Sequence, residues 1–244
     1  MQEKALKELE RLFPHGDVRV AQACAELGSI YVAQARIPEA EAQSRRAVNM
    51  FMERLGPQHQ ATLIAMTELG VALQKQKRFS EAEQLHRQVM EAEKDVHGPE
   101  HPFIITTLSQ VGLNLWYQHK NEEAEAVMRH VLGVEERTLG AEHPSTHSST
   151  YNLALVLQDL HKHAEAEALF VRATKGTARA LGTKHPDLLL TIRALASLLR
   201  QEGKHKAAAI LQQAHDDPST LGDADQLCSL IDSLALGEDM EDGG

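Results

Sequence analysis

The sequence predicts an all-α protein, a right-handed α-solenoid of antiparallel helix pairs closed by a C-terminal capping helix. Composition is the first reason: Leu and Ala occur 32 times each, whereas Ile and Val together total 21. Helix formers dominate and the β-branched residues that suit strands are scarce. The second reason is a repeat of 42 residues, carried by three separate tracks. Gly56, Gly98, Gly140 and Gly182 form one, each with a His three residues on (His59, His101, His143, His185). Glu39-Ala40-Glu41, Glu81-Ala82-Glu83, Glu123-Ala124-Glu125 and Glu165-Ala166-Glu167 form another, and Leu27-Gly28, Leu69-Gly70, Val111-Gly112, Leu153-Ala154 and Leu195-Ala196 the third. The third reason is that prolines stand only where the repeat expects a break, at 14, 38, 57, 99, 102, 144, 186 and 218.

Taken in order, residues 1–16 read as a partial helix of an upstream repeat. In register, Lys4-Ala5-Leu6 falls on Arg46-Ala47-Val48 and Leu9 on Phe51, so the chain is expected to begin inside a longer array. Residues 17–215 hold five repeats, each a helix A and a helix B. In the second, helix A is expected over 60–76 and helix B over 80–96, with apolar residues three and four apart. Gly70 and Gly112 on helix A, and Ala82, Ala124 and Ala166 on helix B, allow close approach, the reason to place glycine inside a helix despite its cost of ~1 kcal/mol. The fifth repeat is degraded: Ala207-Ala208-Ala209 replaces the acidic triplet, and its helix B is expected to stop near His215. Residues 216–236 form the capping helix, where Leu227, Leu230, Ile231 and Leu234 make one apolar stripe that covers the last exposed face of the array. Residues 237–244, with Glu238, Asp239, Glu241 and Asp242, have the composition of a disordered acidic tail.

Met66-x2-Leu69-Gly70-x2-Leu73 followed by Ala82 and His86 resembles the tetratricopeptide template W-x2-L-G-x2-Y, then A-x3-F. The first repeat offers Cys24, Leu27, Gly28, Tyr31 and Ala40, and the fourth Thr150, Leu153, Ala154, Leu157, Ala166 and Phe170. The repeat length and the L-G-x-x-H-P link resemble the kinesin-light-chain type, over residues 17–215. The resemblance implies a superhelix whose A helices line a concave groove for extended peptides or helices. It also exposes departures. The paired Asn of kinesin light chains is reduced to Asn152 beside Tyr151. Thr67, Ser109 and Tyr151 stand where chaperone-binding domains carry their Lys/Asn clamp, so a chaperone C-terminus is not expected as ligand.

Several function classes are excluded. The chain is acidic, 25 Lys+Arg against 35 Asp+Glu with net charge −10, which argues against nucleic acid. Residues 216–244 hold nine acids and no Lys or Arg, so the charge belongs to that segment and residues 1–215 are near neutral. No run of apolar residues suits membrane insertion, and no apolar signal core opens the chain, so a cytoplasmic protein is expected. Two cysteines, Cys24 and Cys228, make no disulfide framework. No nucleophile elbow, phosphate loop, dinucleotide fingerprint or metalloprotease motif is present, so neither enzyme nor cofactor is expected. Fourteen histidines raise a metal hypothesis, but four belong to the repeat turn before helix A, where they can bond the helix start, and no tetrahedral set completes a site. Carboxylate pairs such as Glu135-Glu136 read as solvated helix faces.

Function is therefore expected on surface. Template positions place Thr67, Glu68, Val71 and Lys75 in the groove from repeat two. Repeat three contributes Ser109, Gln110, Leu113, Trp116 and Tyr117. Repeat four contributes Tyr151, Asn152 and Leu155, and repeat five Arg193, Ser197 and Arg200. Trp116, the only Trp, suits either the seam between repeats or a ligand anchor. The expected protein is a non-enzymatic adaptor, a monomer or weak dimer, binding a protein or peptide partner. The alternatives are a regulatory repeat module of a larger protein and a purely structural oligomerisation unit. The acidic tail is weighed as a solubility segment or as one that folds back on Arg193 and Arg200.

Overall fold

The computed structural model describes residues 2–13 and 17–235, so the expected acidic tail at 237–244 lies outside the described residues. The described helices are α1 (Gln2–Leu12), α2 (Val18–Ala33), α3 (Ile37–Leu55), α4 (Gln60–Lys75), α5 (Phe79–His97), α6 (Pro102–Tyr117), α7 (Asn121–Thr138), α8 (Pro144–Asp159), α9 (His163–Leu181), α10 (Pro186–Gln201), α11 (His205–Asp216) and α12 (Ala224–Ala235), with a 3-10 turn at Pro218–Leu221. Among the described residues there is no strand. The all-α expectation holds, and α4 and α5 match the expected spans to within a residue at each end. The chain forms two compact units, residues 1–120 and 121–244. In the first, α2 to α6 pack consecutively with α1 against α2; in the second, α7 to α11 do so and α12 packs along α9.

Four of the five A helices start on a histidine. The imidazole Nδ1 of His59, His101, His143 and His185 accepts the backbone N–H of Ala61, Phe103, Ser145 and Asp187, at 3.1, 3.3, 3.1 and 3.2 Å. These rings do what Asn or Asp ordinarily does at an N-cap: they satisfy a donor the helix cannot. Pro follows His101, His143 and His185 as the first helical residue, where its missing N–H costs nothing. Asp17 serves α2 in the same way, with Oδ1 2.8 Å from the Arg19 N–H. The preceding helix B ends at Gly56, Gly98, Gly140 or Gly182, with φ between +79° and +92°. An added Cβ there would meet nothing within 4 Å, so backbone conformation alone demands glycine.

The turn between helix A and helix B has its own periodic chemistry. Ala35, Lys77, His119, His161 and Gly203 sit in the left-handed region, with φ from +58° to +79°. The next residue closes a six-to-one bond onto helix A, as Lys162 N to Leu157 O at 2.9 Å and Lys204 N to Leu199 O at 2.9 Å. That residue is basic in every repeat, and from the second repeat on its side chain reaches back to the preceding one. Arg78 meets Glu41 at 2.8 Å, Lys120 meets Glu83 at 3.5 Å, Lys162 meets Glu125 at 2.7 Å and Lys204 meets Glu167 at 2.7 Å. Arg45, Arg87 and Arg129 add a bond from one turn along to the first three of these carboxylates. Burial raises the Glu41, Glu83 and Glu125 pKa values, but the hydrogen bonds from Arg, Lys and Gln outweigh it and hold them below the usual range. Arg36 has the same place at the start of the series, where it pairs with Glu39 and lies over the Tyr31 ring.

The first core is built from Leu63, Met66, Leu69 and Leu73 of α4 with Ala82 and Val89 of α5. In the second unit Leu153, Leu157, Phe170, Leu195 and Leu211 are fully enclosed. Leu227 and Ile231 of α12 are buried, and Leu230 and Leu234 half-buried.

Two predictions follow from the turns. His143→Ala removes the acceptor at the start of α8 and should lower unfolding stability by about 1 kcal/mol in urea titration, whereas His143→Asn keeps a capping oxygen and should retain most of it. His161→Gly removes the steric cost of a left-handed residue with a Cβ and should raise stability by roughly 0.5–1 kcal/mol in the same assay.

Candidate interaction surface

The predicted surface residues fall into two sets, one in each unit. In the first unit, α2 and α4 pack side by side. Glu68 of α4 hydrogen-bonds Ser29 of α2 and faces the Glu26 carboxylate. Burial, then Glu26, raises the Glu68 pKa above the usual range, and Oε2 of Glu68 is sealed from solvent without a partner. Thr67 is half-buried, its hydroxyl donating to the Leu63 carbonyl at 3.0 Å. Val71 is half-buried and Lys75 exposed, while Ile64 is 41% exposed. On α6, Ser109, Gln110, Leu113 and Trp116 are half-buried. Tyr117 is 42% exposed, and its ring stacks on Phe79 at 4.7 Å and lies 4.9 Å from Trp116. Trp116 thus belongs to an aromatic cluster at the A–B turn and is not enclosed in the core.

In the second unit, Tyr151 of α8 is half-buried with its ring 5.8 Å from Phe170, and Asn152 and Leu155 are half-buried beside it. Arg193, Ser197 and Arg200 of α10 are exposed, and neither arginine pairs with a described residue. Gln158 Nε2 donates to Gln201 Oε1 at 3.0 Å, joining the ends of α8 and α10.

Beneath the first set runs a buried polar network that the template reading misses. His86, fully enclosed, occupies the position where the template has Phe. Its Nε2 lies 3.4 Å from the Thr67 carbonyl and its Nδ1 3.2 Å from Asn114 Nδ2, which also donates to the Gln110 carbonyl at 2.9 Å. These partners assign the neutral tautomer with the proton on Nε2. Burial, opposed by the Thr67 carbonyl, lowers the His86 pKa. Gly70 serves this ring: a Cβ there would fall 2.3 Å from His86 Nε2. Gly28 likewise clears Ser44 Oγ, at 2.5 Å. Close approach was the expected reason for these glycines; a polar side chain on helix B is what approaches. The signal was present, since an imidazole at an aromatic core position needs partners and Asn114 lies one turn from Gln110.

One expectation needs correction. Glu135 is no solvated residue: it is 7% exposed, hydrogen-bonds Ser149, has its pKa raised by burial, and leaves Oε2 unpartnered. Its neighbour Glu136 does face outward and pairs with Arg172 at 2.5 Å. The difference is one helical step of about 100°, which composition cannot resolve. His147 is 3% exposed with neither ring nitrogen hydrogen-bonded to a side chain, in a space that the missing side chain of Gly176 leaves open. Among the described residues no group of three His, Cys, Asp or Glu is placed to hold a metal ion, and no helix is long and apolar enough to cross a membrane.

Consecutive helix hairpins with a periodic cap, turn and ion pair define an α-helical repeat protein. The tetratricopeptide repeat family model matches residues 21–95, 68–137, 103–175 and 145–215, and the chain belongs to that family. A comparison with curated protein sequences finds no match. Among solved structures, a Podosopora anserina protein described as nearly identical TPR-like repeats of a putative kinesin light chain has TM-score 0.66 and 24% identity over 82% of this chain and 94% of its own. BtubC (BKLC) from P. vanneervenii has TM-score 0.70 and 17% identity, covering 88% and 90%. A Rap protein complexed with Competence and Sporulation Factor has TM-score 0.71 and 14% identity, covering 96% of this chain and 64% of that one. At these identities the likeness is one of fold.

The His86 network makes stability pH-dependent. Because burial lowers its folded pKa below the ordinary 6.5, the unfolded chain binds the proton first and stability falls as pH drops below that value. His86→Gln should cost about 1–2 kcal/mol at pH 7.5 and give a flatter stability profile between pH 5.5 and 7.5 by urea titration.

Proposed function

We propose that this chain is a non-enzymatic adaptor that binds a peptide or helical segment of another protein on the surface lined by the A helices. The observation that carries the reading is the exposed side of the A helices. Besides their core positions, α4, α6, α8 and α10 keep half-buried apolar groups such as Val71, Leu113 and Leu155 and polar groups such as Asn152, Arg193 and Arg200. Aromatic and Arg side chains of this kind dominate interface energetics. The Rap structure with its bound factor supports the reading as an instance of this fold carrying a ligand. Action in the cytoplasm, as a monomer or weak dimer, belongs to the same proposal.

Peptides selected on the full chain by display provide the test. Tyr151→Ala and Asn152→Ala should each weaken the selected peptide roughly tenfold by fluorescence anisotropy, while Gln88→Ala, on the exposed face of α5, should change it less than about twofold. Equal loss in all three, or loss in Gln88→Ala alone, overturns the reading.

A further inference from the structure

The seam where α8, α9 and α10 meet carries a cleft of about 50 Å³, lined by His147 and Ser148 of α8, Thr177 and Leu181 of α9, and Asp187 of α10. One water needs about 15 Å³, so the cleft has room for the head of a side chain. The other repeats show how this place is ordinarily filled. One, two and three periods before Thr177 stand Glu135, Glu93 and Phe51, all nine-tenths buried or more and all longer than threonine. Gly176 stands where those repeats have Val134, Ala92 and Met50. His147 stands where the neighbouring repeats have Ile105, Leu63 and Leu189. Helix B has lost bulk at two adjacent positions here, and helix A has gained a polar ring.

That ring is costly, because an apolar residue serves the same position elsewhere and a buried imidazole without side-chain partners loses hydrogen bonds to water. It is 3% exposed, meets the backbone of Glu142, and has no hydrogen-bonding side chain. Burial keeps it neutral; the Glu142 carboxylate opposes this, and Arg172 and His143 add to it. The ring thus brings unused hydrogen-bonding capacity to the wall of the cleft. Glu135 shows which group suits the matching position in α7: its carboxyl is enclosed, with the Ser149 hydroxyl of α8 as partner. At that register position α9 has open space, with an imidazole beside it. Asp187, exposed and 3.7 Å from His185 Nδ1, disfavours a free anion. A carboxyl that shares one proton with the imidazole adds no net charge next to it.

We propose that this cleft is a binding site for one carboxyl group from outside the chain, which hydrogen-bonds His147 and fills the place that Glu135 fills in its own repeat. The carrier is a glutamyl side chain of a partner protein or a small free acid; only the first rests on the adaptor reading.

Propionate, a glutamate side chain cut free at Cβ, is the probe, and n-propylammonium is its cationic counterpart. The full chain is observed by NMR at about pH 6.5, through the His147 ring and the backbone amides of Ser148 and Ala180. Propionate should shift these signals saturably with a Kd in the millimolar range, at least about tenfold tighter than n-propylammonium. Thr177→Glu refills the cleft from within, and His147→Leu restores the residue of Leu63 and Leu189. Each should weaken propionate at least about tenfold, read at Ser148 and Ala180. Both substitutions introduce residues that the fold already carries at the same register position, and urea titration checks that the variants fold. No saturable shift with propionate, an equal response to n-propylammonium, or binding retained in both variants overturns the proposal. The peptide acetyl-Ala-Ala-Glu-Ala-Ala-amide, set against its Gln counterpart, identifies the carrier. A response to the Glu peptide assigns the site to a protein side chain, and propionate binding without it assigns the site to small acids. Failure of the adaptor reading leaves the propionate result standing, so the two are told apart.

Discussion

The interaction on which the repeats depend is the carboxylate of Glu41, Glu83, Glu125 or Glu167 reaching to the A–B turn of the next repeat. Each is nearly enclosed, between 11% and 17% exposed at the side chain, and each is held by a base 37 residues further on. Burial opposes the charge, and the convergent donors win for the first three. Because the base sits one residue past a left-handed turn position, the ion pair and the backbone turn fix one another. Rotation of a repeat about its neighbour would break the ion pair, while the turn's own bond, internal to one repeat, holds the base in place.

Against that restraint the structure tolerates several polar groups that cost stability. Glu68 and Glu135 keep carboxyls whose pKa values burial raises, and His147 keeps two ring nitrogens with no side-chain partner. His86 is the contrasting case, with a partner at each nitrogen and a glycine opposite that makes room. Buried polar groups are ordinarily satisfied, so the unsatisfied ones mark places where packing is not optimised for stability alone. Glu68 lies where α2 and α4 pack side by side, next to Glu26. The network through His86 ends on the Thr67 carbonyl, so the core of the first unit is bonded directly to the backbone of α4.

Most of the fold was legible in sequence, because its determinants are local and periodic. Gly140 demands a backbone conformation that needs no knowledge of neighbours, and His143 caps a helix through an atom two residues away. The bases at 78, 120, 162 and 204 form a fourth 42-residue track, visible in the sequence but without meaning until their acceptors were located. What lies between elements was not legible. Adjacent Glu135 and Glu136 have one chemistry and opposite surroundings, and Gly70 and Gly176 make room for imidazoles that only packing brings near. The sequence by itself determined the repeat, the helix boundaries and the family, since these follow from short-range hydrogen bonding and the period of apolar residues. Tertiary structure decided which polar side chains are buried and which acids and bases meet across repeats, because burial and long-range pairing are properties of neighbours the chain brings together only on folding.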